Sequence, residues 1–89
     1  LEEKIVSLKV PESGEKLIHQ IVGTVQRIRQ LQLKKEPSIS ETLDWAKALV
    51  LLGYQDLDPK IATETLNFIL KYEKDIEMAI KESKTIFQN

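Results

Sequence analysis

Few residues in this chain have types and spacings suited to chemistry. His19 is the only histidine, with Glu15 one helical turn before it and Gly23 one turn after. No second imidazole or thiolate stands near it in sequence, so it reads as a surface or half-buried histidine rather than a metal ligand. Ser38 and Ser40 have no histidine or lysine at a spacing that would activate a hydroxyl, and capping is the better account of Ser38. Glu41 and Asp44 lie three apart on one expected helix and so near each other. Two carboxylates can work as general acid and base, but an exposed pair in a first helical turn has no reason for shifted pKa values. Capping and dipole compensation are the expected roles. Arg27, Arg29, Lys34 and Lys35 form the one basic concentration, able to touch a phosphate or an acidic partner. No aromatic residues are interleaved with them, so they read first as a solvated helix face. Neither a Gly-x-x-x-x-Gly-Lys-Ser/Thr loop nor an Asp-Glu strand end is present to hold phosphate and magnesium. The residues themselves offer no catalytic or metal site.

The elements that would position these residues are helices. Glu2 to Leu8, together with Leu1, suits a short helix with Ile5, Val6 and Leu8 inward, ended by Val10–Pro11 because a residue before proline is pushed out of helical geometry. From about Ser13, Leu17, Ile18, Ile21, Val22, Val25 and Ile28 make one broad apolar face. This helix is expected to fade near Leu33, with Lys34 and Lys35 complementing its negative end. Gly23 inside it points to close approach of a neighbouring helix, with a small kink as the alternative.

A third helix over Ile39 to Leu52 places Thr42, Leu43, Ala46, Leu49, Val50 and Leu52 on one face, which Trp45 widens. Ser38 and Glu41 have capping-box spacing, and Gly53 supplies a left-handed stop. Asp58–Pro59 caps and opens a fourth helix running to about Lys71, with Ile61, Ala62, Thr65, Leu66, Ile69 and Leu70 inward. A last helix is expected from Glu73 to Ile86, with Ile76, Ala79, Ile80 and Ser83 inward and Glu73, Asp75 and Glu77 in the favourable half of its dipole. Trp45, Tyr54, Phe68, Tyr72 and Phe87 read first as core, and Trp45 also suits a partner-facing anchor. The fold class is therefore all-α: a small antiparallel helical bundle of four main helices plus a short N-terminal helical segment.

Composition agrees with one small domain. The 89 residues are 42% hydrophobic and 30% charged, ordinary values for a globular chain. A net charge of −1 argues against strong nucleic-acid or polybasic membrane binding, and no apolar run approaches the about 18–20 residues of a membrane span. The absence of cysteine excludes disulfides and thiolate metal sites and fits a cytoplasmic protein. Beginning at Leu1, the chain reads as processed or excised from something longer.

The run SETLDWA-x-AL-x-LLG, a short loop, LDP and a helix ending LKYEKDIE resembles the C-terminal helical lid of MoxR-type AAA+ ATPases. The resemblance covers nearly the whole chain. Residues 1–11, with EEKIV-x-LKVP, look like the connector from the ATPase core, and residues 12–89 like the helical lid bundle, the segment ending VQRIRQLQLKK being its first helix. The order of Glu, Asp, Trp and the LDP turn is not required by any bundle, which makes this run the specific part.

The resemblance implies a subdomain that folds over ATP and magnesium bound in a core outside these residues, with neither cofactor held by the 89 residues themselves. It implies a ring of subunits, commonly a hexamer, and chaperone-like remodelling or maturation beside a partner with a von Willebrand factor A domain. It places Ser38, Ile39, Ser40 and Glu41 nearest the nucleotide. The family's sensor arginine has no counterpart there, since no arginine stands in residues 37–42. Asp44, Trp45, Arg27 and Arg29 are the side chains available for partner or subunit contact. The competing expectation from another class is a free-standing helical adaptor that binds a protein through an exposed groove.

Overall fold

A computed structural model of the chain describes residues 2–87. Those residues are all-helical, with no strand among them. They form α1 (Glu2–Lys9), α2 (Gly14–Ile28), α3 (Ile39–Leu51), α4 (Pro59–Glu64), α5 (Glu73–Lys81) and α6 (Ser83–Ile86), with 3-10 turns at Pro11–Ser13 and Leu66–Phe68.

The local punctuation is where the residue types place it. Ser38 N–H donates to Glu41 Oε1 at 2.9 Å and Glu41 N–H to Ser38 Oγ at 3.3 Å, a complete capping box. α3 ends in a Schellman motif: Gly53 sits at φ +84, its N–H reaches Val50 O at 3.0 Å, and Tyr54 N–H reaches Leu49 O at 3.0 Å. Asp58 Oδ1 accepts Ile61 N–H at 2.8 Å and Pro59 opens α4.

The core is built from Leu17, Ile21, Val22, Val25 and Ile28 of α2 and from Trp45, Ala46 and Leu49 of α3. Leu57, Ala62, Leu66, Ile69, Leu70, Ala79 and Ile86 close it. α1 packs on both α2 and α3 and adds Val6, with Val10 just beyond it. Leu1 lies outside the described residues, so its expected place in α1 does too.

Several expected boundaries and faces are corrected. α2 stops at Ile28 rather than near Leu33, tightening through Gln30 N–H to Arg27 O and Leu31 N–H to Ile28 O. Asp75 then accepts the backbone amides of Lys34 and Lys35 at 2.8 and 3.0 Å, and with α2 ended at Ile28 these lysines stand well past its last turn rather than in it. α4 is one and a half turns long because Thr65, at φ −113, leaves the helix. Its hydroxyl is held between Ile61 O and the Trp45 indole. The following 3-10 turn still carries Leu66, Ile69 and Leu70 into the core. The expected last helix breaks at Glu82, which lets Ile86 and Phe87 turn inward.

Leu8, Leu52 and Ile80, expected inside, are 72%, 59% and 45% exposed. Leu43 and Ile76 are half-buried, while Tyr54, Phe68 and Tyr72, read first as core, are exposed. Gly23 meets neither a neighbouring helix nor a break in α2: a Cβ there would lie 3.3 Å from Arg27 Nη1, so the glycine leaves room for a side chain one turn later on its own helix.

Candidate functional site

The start of α3 is where the expected site residues converge, and the structure turns them into a closed polar network. Arg29, just past the end of α2, presents its guanidinium fork to the Glu2 carboxylate at 2.7 and 2.8 Å, while its Nε–H donates to Pro37 O at 2.9 Å. The Thr42 hydroxyl lies 3.2 Å from Glu2 Oε2 and 3.0 Å from Ser38 O. Planar bidentate geometry of this kind is the strong form of a charge-assisted hydrogen bond. The Arg29 fork holds the Glu2 carboxyl below its ordinary range against the opposing effect of burial, with Thr42 assisting. The same pairing raises the Arg29 guanidinium.

Glu41 occupies the adjoining position. Expected as an exposed partner of Asp44, it is buried instead, whereas Asp44 points to solvent. Burial alone would raise the Glu41 carboxyl. The Ser38 amide, Lys35 and the Ser38 hydroxyl outweigh that and hold it below the usual carboxylate range. Lys35 Nζ stands 3.3 Å from Oε1 and Lys71 Nζ 3.6 Å from Oε2. The helix start thus has its own carboxylate, paired with two bases. The capping box uses the Ser38 and Glu41 amides, so the unpaired first-turn N–H groups are those of Ile39 and Ser40, both on the surface. Both network carboxylates are stabilised as anions, an arrangement that binds and orients but supplies no general acid near neutral pH.

The basic concentration divides: Arg27 and Arg29 are half-buried in tertiary bonds, while Lys34 and Lys35 stay exposed beside their partners. Arg27 Nε–H donates to Ile86 O at 2.7 Å, tying α2 to the end of α6, and Arg29 is taken up by Glu2 and Pro37. Lys34 lies 4.6 Å above the Tyr72 ring, and Lys35 serves Glu41. Trp45 is core: it is wholly buried, and its indole N–H donates to Thr65 Oγ1 at 2.8 Å. In this structure it is not a surface anchor.

A second polar region lies between α2 and the α3–α4 loop, a groove of about 580 Å³ bordered by Lys16, His19, Gln20, Gly23, Arg27 and residues 56–59. Its polar groups are largely paired: Lys16 with Asp56 at 3.5 Å, and His19 Nδ1 within hydrogen-bond distance of Glu3 at 3.1 Å. Gln20 holds the loop from both sides of its amide, donating to Asp56 Oδ1 at 2.7 Å and accepting Leu57 N–H at 2.9 Å. That Gln20 bond is the main reason the Asp56 carboxyl titrates below its ordinary range. Among the described residues no cluster of three histidine, cysteine or acidic side chains is placed to hold a metal, and no helix is long and apolar enough to cross a membrane.

Sequence reasoning missed Glu2, Asp75 and Gln20. Their partners lie 27, 41 and 36 residues away, so no local pattern pointed to them. Comparison with protein-family models, curated proteins and solved structures finds no match to this chain.

Proposed function

We propose that this chain is the C-terminal lid subdomain of a MoxR-type AAA+ ATPase. It closes over the nucleotide of a core that precedes it and relays nucleotide state to neighbouring subunits of a ring and to a partner in remodelling or maturation. The observation that supports the reading is that the residues carrying the resemblance form one mechanical unit. SETLDWA becomes a boxed helix, LLG its Schellman stop and LDP the cap of the next helix. The Trp of the motif then bonds the Thr that ends α4. A lid that transmits a change of orientation has to be rigid across such a joint.

With no arginine in residues 37–42 and Glu41 paired at the helix start, contact with phosphate from α3 falls to the Ile39 and Ser40 amides rather than to a charged sensor. The exposed Leu51 and Leu52 at the far end of α3 offer apolar surface for the core or an adjoining subunit.

The deciding test joins two measurements. The coding sequence upstream of Leu1 is expected to hold a Gly-rich phosphate loop and an Asp-Glu strand end, and the full-length protein to hydrolyse ATP. The 89-residue chain alone, titrated calorimetrically with ATP and magnesium at physiological salt, is expected to show no binding, because phosphate and magnesium need several converging groups. A stoichiometric, micromolar interaction with the fragment would overturn the lid reading. A start codon directly before Leu1 would overturn it in favour of the free-standing adaptor.

A further inference from the structure

α1 is attached to the rest of the molecule in an uneven way. Of its eight residues only Val6 is a buried apolar side chain, with Ile5 half-buried and Leu8 facing solvent. Glu3, Lys4, Ser7 and Lys9 are exposed, and the Glu3–His19 pair lies open to water, where such pairs contribute little. The strong attachment is at the first described residue, where Glu2 is gripped by the Arg29 fork and the Thr42 hydroxyl. At the opposite end the chain leaves through Val10–Pro11, a short 3-10 turn and Gly14 at φ +77 before α2 begins. This proline-containing corner separates α1 from α2 as a hydrogen-bonded unit.

We infer that α1 is a latched strap: it leaves the seam between α2 and α3 before the rest of the fold and, too short to keep its helix once detached, unravels as far as the corner at residues 11–14, and the Glu2–Arg29 fork is the latch that keeps it seated. Opening leaves the α2–α6 bundle folded, because the capping box, the Trp45–Thr65 bond and the Asp75 contacts do not involve α1. Segments with few buried apolar contacts and one dominant anchor are the ones that open below the global unfolding free energy. The inference concerns this fold alone and stands apart from the lid reading.

Residue-resolved amide hydrogen exchange on the 89-residue chain tests it. The reporter in the strap is the Val10 amide, which donates to Val6 O at 2.7 Å, and the references are interior amides of α3 such as that of Leu49. In the parent, the strap amide is expected to be at least about tenfold less protected than Leu49. Glu2→Gln, which keeps the shape and removes the charge, is expected to speed strap exchange by a further factor of about ten while α3 and α5 change less than about twofold. Arg29→Lys keeps the charge and loses the fork, and is expected to give the same selective pattern. Equal protection of Val10 and Leu49 in the parent would overturn the strap. Glu2→Gln and Arg29→Lys that speed all helices alike, or that leave Val10 unchanged, would overturn the latch.

Discussion

Replacing Asp75 by Ala separates two physical accounts of one residue. If Asp75 acts only as a first-turn acid of α5, its charge interacts with the helix dipole and is worth about 0.3–1 kcal/mol. The structure gives it a different task. It is 3% exposed and accepts the Lys34 and Lys35 amides on separate oxygens at 2.8 and 3.0 Å, fixing the segment that replaces the expected end of α2. A hydrogen bond to a charged group contributes about 1.5–3 kcal/mol, and two of them set an upper range near 3–6 kcal/mol. The Lys34 and Lys35 residues are exposed, so water partly re-satisfies the freed amides. We therefore expect Asp75→Ala to cost about 2–4 kcal/mol, around the lower end of that range. For a domain of this size that corresponds to a fall in melting temperature of about 10–30 °C.

Asp75→Asn, which turns one acceptor into an N–H donor facing an amide, is expected to be nearly as damaging. Glu73→Ala, in the same first turn but exposed, is the control and should stay within about 1 kcal/mol. Urea unfolding followed by far-ultraviolet circular dichroism measures all three. If Asp75→Ala and Glu73→Ala proved equal within about 1 kcal/mol, Asp75 would be a dipole residue and the account of the 29–38 connection would be wrong.

Other outcomes follow from the same geometry. Leu49→Ala removes a wholly buried side chain from the last turn of α3 and is expected to cost about 2–5 kcal/mol in the same urea titration; a curve matching the parent would mean the core face is misplaced. Ser38→Ala removes the acceptor for the Glu41 amide and should cost about 0.5–2 kcal/mol, read from the loss of melting temperature. The Glu2 carboxyl titrates below its ordinary value of 4.5, so in acid the unfolded chain takes up this proton before the folded one. Its stabilisation is therefore fully present above that ordinary value and is lost as pH falls through the lower folded value, and Glu2→Gln should flatten the acid side of the stability profile. Glu41 and Asp56 act in the same direction, so a parent whose stability rose on acidification would refute all three assignments.

How much of this molecule can be read from its residues depends on how far apart the interacting groups lie along the chain. Ser38 with Glu41, Asp58 with Ile61, and Gly53 with the end of α3 are interactions over a few residues, so residue type and spacing alone determined the limits of α3 and the start of α4. The apolar repeats of α2 and α3 likewise selected the inward faces that hold Leu17, Ile21, Val25, Ala46 and Leu49, because a helical period is a local property. Residue types also identified the LDWA…LLG…LDP run as the part most particular to this chain.

The tertiary structure alone decided what the polar residues do. Arg29 became the partner of Glu2, Glu41 turned inward between Lys35 and Lys71, and Asp75 captured two backbone amides of the 29–38 connection. It also shortened the expected fourth helix at Thr65, broke the last at Glu82, and left Leu8, Leu52 and Ile80 in solvent. For Arg29, Glu41, Asp75 and Thr65 the physical reason is the same. A charged or hydroxyl side chain binds whichever group packing brings within about 3 Å, and a helix ends where such a distant group outbids its next internal hydrogen bond. Neither outcome is encoded in the period of the segment itself.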